Sequence, residues 1–219
     1  MMPVKICGIT QTEDARKAID AGASAIGFIF HEASPRYIDP EKANHISDAV
    51  SDTVATVGVF VDEAAETVNR IAELVGLDFV QLHGDESPEY CAQMNRPVIK
   101  SFRIGESFDE KVLGGYNVYA LLFDAYVKGA QGGTGKTFNW DIIKSLETET
   151  IIILAGGINS ENIMMAYDSV RPDAFDVSSG VEESPGRKNR EKMGKLFTIV
   201  ETIEQYSKDA IFQVIPQEH

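Results

Sequence analysis

The chain has 219 residues, of which 43% are hydrophobic and 25% are charged, and its formal net charge is −14. This composition is typical of a folded globular protein, and the negative charge argues against nucleic acid and anionic membranes as partners, although a local site can still bind a small anion. Two cysteines exclude a disulfide framework, and neither a signal peptide nor a membrane helix is predicted, so we expect a cytoplasmic protein.

Short apolar runs alternate with amphipathic segments along the chain, a pattern typical of repeated βα units. The predicted strands are Val4–Cys7, Ala25–Phe30, Val54–Phe60, Phe79–Leu82, Val98–Ser101, Val118–Asp124, Ile151–Leu154 and Ala174–Val177. Predicted helices between them include Thr12–Ala21, Glu63–Val75 and one that starts at Ser160. Eight such units predict a single α/β domain, a (β/α)₈ TIM barrel over residues 1–219, with a frayed or loosely packed tail over roughly residues 207–219.

In such barrels the chemistry lies on the loops that follow the carboxyl ends of the strands. The first strand ends at Cys7, and side-chain alternation places Lys5 and Cys7 inside the barrel, with Val4 and Ile6 facing the helices. We hypothesise that the Lys5 ammonium lowers the pKa of the Cys7 thiol enough for the thiol to act as a base. The alternative is a buried, inert cysteine, which is our interpretation of Cys91.

Polar side chains also follow three other strands. Asp124 closes the apolar sixth strand and suits a general acid, with a helix cap or a surface ion pair as the alternative. Arg36 follows the second strand and suits a bidentate carboxylate contact, unless it is simply a solvated loop residue. His83 follows the fourth strand, where it either contacts a ligand or satisfies a backbone group. No second His or Cys lies at ligand spacing from it, so no metal site is predicted.

Small residues follow the seventh and eighth strands, where many barrels bind phosphate. Glycine lets the backbone approach a ligand closely, and exposed N–H groups favour an anion. The two loops together therefore predict a phosphate site, although glycines that only turn the chain would explain either loop alone. The predicted phosphate-binding residues are Gly156, Gly157, Ser178, Ser179 and Gly180.

A glycine-rich stretch over residues 130–137 nearly matches a Walker A phosphate loop, with Ala130 in place of the usual glycine. The stretch lies well beyond the end of the sixth strand, whereas a nucleotide-binding loop fits tightly between a strand and a helix. We therefore interpret it as a mobile lid over the site and keep nucleotide binding as an alternative.

The chain resembles the phosphoribosylanthranilate isomerase family over nearly its whole length. The matching segments, in the expected order, are VKICGIT, GFIF, SPRYI, VGVFV, QLHG, GGTGKTFNW, AGGIN and DVSSGVEESPG. The resemblance implies an aldose-to-ketose rearrangement of N-(5-phosphoribosyl)anthranilate in tryptophan biosynthesis, without cofactor or metal. It implies a phosphorylated small molecule as the binding partner of a monomer or homodimer.

The same resemblance implies a role for each residue of the site. Cys7 is the general base, Asp124 is the general acid and Arg36 meets the anthranilate carboxylate. The loops after the seventh and eighth strands hold the phosphate, and Asp176 lies next to the sugar. Apart from the resemblance, we also predict that His83 contacts the substrate. The family often has an aspartate at the position of Asn139, to which we assign no catalytic role.

Two other classes of protein stay open besides the nucleotide-binding one. The first is another phosphosugar barrel enzyme. An epimerase would need metal ligands at the strand ends, which are missing, and an indole-glycerol-phosphate synthase would need a lysine at the barrel mouth, for which Lys100 is the only comparable candidate. The second is a catalytically inactive barrel that only binds phosphorylated ligands, against which the presence of Cys7 and Asp124 argues.

Overall fold

The computed structural model describes residues 1–50, 52–104, 108–124, 141–144, 146, 148–203 and 211–214. Within them, eight parallel strands form a closed barrel in which each strand pairs with the next and the eighth pairs with the first. Strands β1 to β8 span Val4–Cys7, Ala25–Ile29, Ala55–Phe60, Phe79–Leu82, Val98–Arg103, Ala120–Asp124, Ile151–Ala155 and Ala174–Val177. The predicted barrel is confirmed, and three of its strands have the predicted bounds.

Helices connect the strands. Helices α1 to α7 span Thr12–Ala21, Pro40–Asp48, Ala65–Val75, Pro88–Cys91, Asp141–Lys144, Ile163–Val170 and Arg190–Val200. Short 3₁₀ helices cover Glu110–Gly115 and Ser179–Val181, and a hairpin of β9 (Glu182–Ser184) and β10 (Arg187–Lys188) follows β8. Among the described helices, none has the length and apolar character needed to cross a bilayer.

The sixth helix starts later than the sequence predicts. Ser160 lies in a turn, and α6 begins only at Ile163. The side-chain oxygen of Asn159 accepts a hydrogen bond from the Glu161 amide at 2.8 Å, and the Asn162 side chain accepts one from the Asn159 amide at 2.9 Å. These local hydrogen bonds compete with the helical pattern, because Asn side chains bond readily to nearby backbone.

Side chains alternate across the barrel wall. Val4 and Ile6 pack in the larger apolar cluster, whereas Lys5 and Cys7 face the interior, as predicted. The lower interior, at the amino ends of the strands, is filled by a second apolar cluster that includes Ala25, Ala55, Val57, Phe79, Ile99, Ala120, Leu122, Ile153 and Ala174. Among the described residues, this packing fills the lower half, and the open space for a ligand lies at the carboxyl ends of the strands.

Part of the predicted loose tail closes the floor of the barrel. Ile211 and Phe212 are 2% and 8% exposed and belong to the lower apolar cluster. The Phe212 ring meets the Phe79 ring edge-on, with 6.1 Å between centroids, and the Tyr119 hydroxyl donates to the Ile211 carbonyl oxygen. The expectation of loose packing is wrong for these two residues, because covering the lower cluster removes apolar surface from water.

Candidate active site

A cavity of about 540 Å³ opens at the carboxyl ends of the strands. Polar groups and glycine-rich turns from several strands line it together with apolar side chains. Nine of the ten predicted site residues lie in its wall: Cys7, Arg36, His83, Asp124, Gly156, Gly157, Asp176, Ser178 and Ser179. The structure therefore brings together, in one cavity, groups that are spread over most of the sequence.

The Cys7 thiol lies at the end of β1 and is only 6% exposed, although it lines the cavity. Burial raises the pKa of this thiol; the Lys5 ammonium opposes that shift, the Asp176 carboxylate adds to it and the Lys188 ammonium opposes it. Burial prevails, so the pKa lies above its ordinary value. Lys5 does lower the pKa of the thiol, as hypothesised, but its effect is smaller than that of burial, so the expectation of a net lowering is wrong.

The partners of Lys5 explain this result. Its fully buried ammonium donates to Asp176 Oδ2 at 2.8 Å and to Gln81 Oε1 at 2.7 Å. Burial alone would lower the pKa of Lys5, but the charges of Asp176 and Cys7 bring it above its ordinary value. The Asp176 carboxylate therefore offsets much of the positive field that reaches the thiol.

Asp124 contacts a histidine from a neighbouring part of the barrel. Its side chain is 22% exposed at the end of β6, and Asp124 Oδ2 lies 3.3 Å from His83 Nε2. The other ring nitrogen of His83, Nδ1, lies 3.0 Å from Gln81 Nε2. Sequence reasoning treated His83 as a ligand contact or a backbone partner, and it overlooked Gln81, which lies two residues earlier, on β4, and points inward.

Arg36 is held by a carboxylate that sequence reasoning also overlooked. Glu182 Oε1 accepts from Arg36 Nε at 2.9 Å, Glu182 Oε2 accepts from Arg36 Nη2 at 2.7 Å, and Lys188 Nζ donates to Glu182 Oε1 at 2.8 Å. Burial would raise the pKa of Glu182, but the hydrogen bonds from these two cations bring it below its ordinary value. Because Glu182 takes one edge of the guanidinium, the Nη1 end is the part that suits a ligand.

The β9–β10 hairpin joins these groups to the loop after β1. Lys188 Nζ donates to the Cys7 carbonyl oxygen at 2.6 Å, and the Lys188 amide donates to Asp14 Oδ2 at 2.8 Å. The Thr10 hydroxyl donates to the Gly186 carbonyl oxygen at 2.6 Å. The hairpin therefore fixes Cys7 and the Arg36–Glu182 pair relative to one another, although neither SSGVEES nor PGRK carries a local signal for this role.

The two glycine-rich loops touch each other. Gly156 and Gly157 have φ values of 91° and 74°, which favour glycine. A Cβ on Gly180 would lie 2.0 Å from the Ile158 carbonyl oxygen, so this glycine permits the contact between the loops. Gly180 thus packs against the loop that carries Gly157, rather than in the cavity wall.

Two buried polar atoms in the cavity wall have no hydrogen-bond partner among the described residues: Asp176 Oδ1 and Ser178 Oγ. Buried polar atoms without partners are uncommon in folded proteins, because leaving them unsatisfied costs free energy. A hydroxyl group or an anion in the cavity would supply the missing hydrogen bonds.

Two other predictions have different outcomes. Lys100 lies in β5, and its buried ammonium donates to Glu86 Oε2 at 2.8 Å and to the Gly84 carbonyl oxygen at 2.8 Å, so it stabilises a loop instead of facing the cavity. This position removes the lysine that an indole-glycerol-phosphate synthase would need. The predicted lid over residues 130–137, its Walker-like pattern and Asn139 lie outside the described residues.

Comparison with known proteins gives the family. The family model for N-(5'-phosphoribosyl)anthranilate (PRA) isomerase matches residues 4–199 of the chain. The chain belongs to this family. The N-(5'-phosphoribosyl)anthranilate isomerase of Geobacter sp. (strain M21) is 50% identical over 193 residues, which are 88% of this chain and 95% of the relative.

Solved structures of the same family share the barrel. The phosphoribosyl anthranilate isomerase of Thermotoga maritima has 38% sequence identity and a TM-score of 0.83, covering 93% of this chain and 100% of its own. A further phosphoribosyl anthranilate isomerase, with 35% identity, a TM-score of 0.77 and the same coverage, was solved in complex with reduced 1-(o-carboxyphenylamino)-1-deoxyribulose 5-phosphate.

Proposed function

We propose that the protein is a phosphoribosylanthranilate isomerase of tryptophan biosynthesis. It would convert N-(5-phosphoribosyl)anthranilate to 1-(2-carboxyphenylamino)-1-deoxyribulose 5-phosphate. The observation that supports this most is a single cavity that combines Cys7, Asp124, Arg36 and two touching glycine-rich loops in a member of this family. The relative solved with a reduced phosphorylated aminodeoxyribulose supports the same class of ligand.

The first step assigns a proton to Asp124. The carboxyl group of Asp124 donates its proton to the furanose ring oxygen, and the bond between that oxygen and C1 breaks. The anthranilate nitrogen lone pair forms the C1–N double bond, which gives an open-chain, protonated Schiff base. A side chain at the end of β6 that is neither sealed nor fully solvated suits this exchange of a proton with a ligand.

The second step assigns a proton to Cys7. The Cys7 thiolate removes the C2 hydrogen as a proton. The electrons of the broken C2–H bond form a C1–C2 double bond, and the electrons of the C1–N double bond move to the nitrogen, which gives an enolamine. The enolamine then tautomerises to the ketone. Because burial raises the pKa of Cys7, the thiol prevails at neutral pH and must first release its proton to solvent in the cavity. The positive charge of the Schiff base favours the resulting thiolate, which then accepts the C2 proton.

Two groups of the cavity wall bind the two ends of the ligand and so hold the reacting carbon in place. The Nη1 end of Arg36 suits the anthranilate carboxylate, and the loops around Gly157 and Ser179 suit the phosphate. Asp176 Oδ1 and Ser178 Oγ suit the sugar and phosphate oxygens, since both need a partner. We propose that the enzyme needs no cofactor or metal and acts in the cytoplasm as a monomer or homodimer.

The test is to add enzymatically made phosphoribosylanthranilate and follow the loss of its fluorescence. Cys7→Ser and Asp124→Asn should each lower turnover by at least about 100-fold, the lower bound for a general acid or base, and should stay folded. Cys91→Ser is the matched control and should keep wild-type turnover, because Cys91 packs in the larger apolar cluster, outside the cavity wall. Arg36→Ala should raise KM through weaker carboxylate binding.

Each outcome bears on a stated part of the proposal. Near-normal turnover of Cys7→Ser or Asp124→Asn would remove that residue from the mechanism, and an unchanged KM of Arg36→Ala would remove Arg36 from the carboxylate site. A folded wild-type protein that binds the substrate analogue but shows no turnover would favour the inactive phosphosugar-binding barrel.

A further inference from the structure

A chain of three hydrogen bonds and one close ionic contact crosses the barrel interior, and each of its members except Lys5 lines the cavity. It starts at Asp176 on β8, passes through Lys5 on β1 and Gln81 on β4, and continues to His83 and then to Asp124 on β6. The successive distances between the contacting atoms are 2.8, 2.7, 3.0 and 3.3 Å. Gln81 and Lys5 are 1% and 0% exposed, so water does not compete for their hydrogen bonds.

The donors and acceptors of this chain can be assigned one after another. The Lys5 ammonium has only N–H donors, so the Gln81 atom that faces it must be the carbonyl oxygen, Oε1. The amide nitrogen of Gln81, which only donates, then faces His83 Nδ1. His83 Nδ1 must accept, so it carries no proton, and the ring proton of His83 lies on Nε2, the atom next to Asp124.

The reverse arrangement is disfavoured by charge. A protonated His83 Nδ1 would need the Gln81 oxygen, which would turn the amide nitrogen and its hydrogens towards the Lys5 ammonium. Lys5 remains an ammonium at neutral pH despite its burial, because the Asp176 carboxylate, 2.8 Å from Lys5 Nζ, favours the charged form and raises the pKa of Lys5. The buried cation therefore fixes the orientation of the amide, and the amide fixes the tautomer of the imidazole.

We propose that Lys5 and Gln81 are positioning residues, which hold His83 in its Nε2–H tautomer and direct that single N–H at Oδ2 of Asp124. This inference rests on the proposed role of Asp124 as the general acid. With Oδ2 accepting from His83, the acidic proton of Asp124 is placed on Oδ1. Once that proton has been transferred to the substrate, the same N–H stabilises the carboxylate that is left.

Other charged groups near His83 do not supply a competing partner for its ring. On β5, Arg103 Nη2 lies 3.4 Å from the carbonyl oxygen of His83, which is a backbone contact. Cys7 on β1 and Asp176 on β8 interact with Lys5, which Gln81 separates from His83. Within the part of the chain that the structure describes, the polar partners of the His83 ring are therefore Gln81 and Asp124.

Nitrogen-15 NMR of the wild-type histidine side chains tests the tautomer directly and does not depend on activity. We expect His83 to show an unprotonated Nδ1 and a protonated Nε2 at neutral pH, with its signals assigned by their loss in His83→Ala. A protonated Nδ1, whether in the other tautomer or in an imidazolium, would overturn the proposal. This result stands even if the protein proves to have a different activity.

Gln81→Glu is the variant that separates positioning from packing. A carboxylate has nearly the same shape and still accepts from Lys5, but it cannot donate to His83, so the proton should move to Nδ1. We expect kcat to fall by at least about tenfold, with a smaller change in KM and an altered dependence of kcat on pH. Gln93→Glu, which makes the same change at an exposed helix-end position, should leave kcat and its pH profile as in wild type.

The outcomes distinguish the two proposals. Wild-type kcat and an unchanged pH profile in folded Gln81→Glu would refute the positioning role, while the isomerase assignment would survive. Absence of turnover in the wild type would refute the isomerase assignment, while the NMR result would still decide the tautomer. If Gln81→Glu does not fold, Gln81→Met, which lacks both polar groups, replaces it and should also lower kcat without raising KM to a similar degree.

Discussion

Glu182→Gln removes the negative charge from the buried ion pair of Glu182 and Lys188, in which Glu182 also binds Arg36. The Glu182 and Lys188 side chains are 4% and 0% exposed, and the Arg36 side chain is 22% exposed. Gln has the shape of Glu but no charge, so the Lys188 ammonium would remain buried without a compensating carboxylate. The guanidinium of Arg36 would also lose its bidentate partner and its fixed orientation.

The expected loss of stability follows from this burial. Removing one partner of a buried ion pair typically costs about 3–5 kcal/mol, because the other charge is left unpaired. With a urea dependence of about 3 kcal/mol per molar, the midpoint of unfolding should fall by at least about 1 M. The KM for phosphoribosylanthranilate should also rise, since Arg36 must then be ordered by the substrate itself.

The assay is urea unfolding followed by circular dichroism, with Asp168→Asn as the matched control. Asp168 also pairs with an arginine, Arg171, but the two side chains are 62% and 63% exposed, so the control should lose less than about 1 kcal/mol. If Glu182→Gln unfolded at the wild-type midpoint, the buried pair would not stabilise the fold and our account of Arg36 would be refuted.

The difference in stability between wild type and Glu182→Gln should depend on pH, and the pKa of Glu182 gives the direction. The folded-state pKa of Glu182 lies below its ordinary value of 4.5, because Arg36 and Lys188 favour the carboxylate. Its contribution to stability is therefore fully present above about pH 4.5 and is lost as the pH falls through the folded-state pKa. The difference in stability between wild type and Glu182→Gln should shrink on acidification over that window.

Other predictions concern the thiol and two glycines. In a Cys91→Ser background, Cys7 should react with iodoacetamide more slowly at pH 8 than a free thiol does. Its reaction rate should keep rising beyond pH 9.0, because burial raises the pKa of Cys7 above that value. A half-maximal rate near pH 7 would contradict this expectation. Gly180→Ala should lower the unfolding temperature and weaken inhibition by inorganic phosphate, since its Cβ would lie 2.0 Å from the Ile158 carbonyl oxygen. Gly194 lies in the middle of α7, and nothing lies within 4 Å of a Cβ added there. Gly194→Ala should therefore stabilise the protein by about 0.5–1 kcal/mol. Thermal unfolding of both glycine variants measures the contrast, and equal shifts in unfolding temperature would refute it.

The sequence alone determined the barrel and the general position of the site. Strands such as β1, β4 and β8 are short apolar runs whose hydrophobic pattern is local, so their bounds can be read directly. The same alternation correctly placed Lys5 and Cys7 inside the barrel. Reactive groups at the carboxyl ends of strands must then converge, because a closed parallel barrel brings all those ends to one face.

Only the tertiary structure decided which charges compensate one another. Lys5 and Gln81 are 76 residues apart in the chain, and Arg36 and Glu182 are 146 residues apart, so no local pattern links them. For the same reason the sequence led to the wrong direction for the pKa of Cys7: it showed the nearby cation, but neither the depth of burial nor Asp176 beside that cation. An electrostatic environment is a sum over neighbours in space, and those neighbours exist only once the barrel has closed.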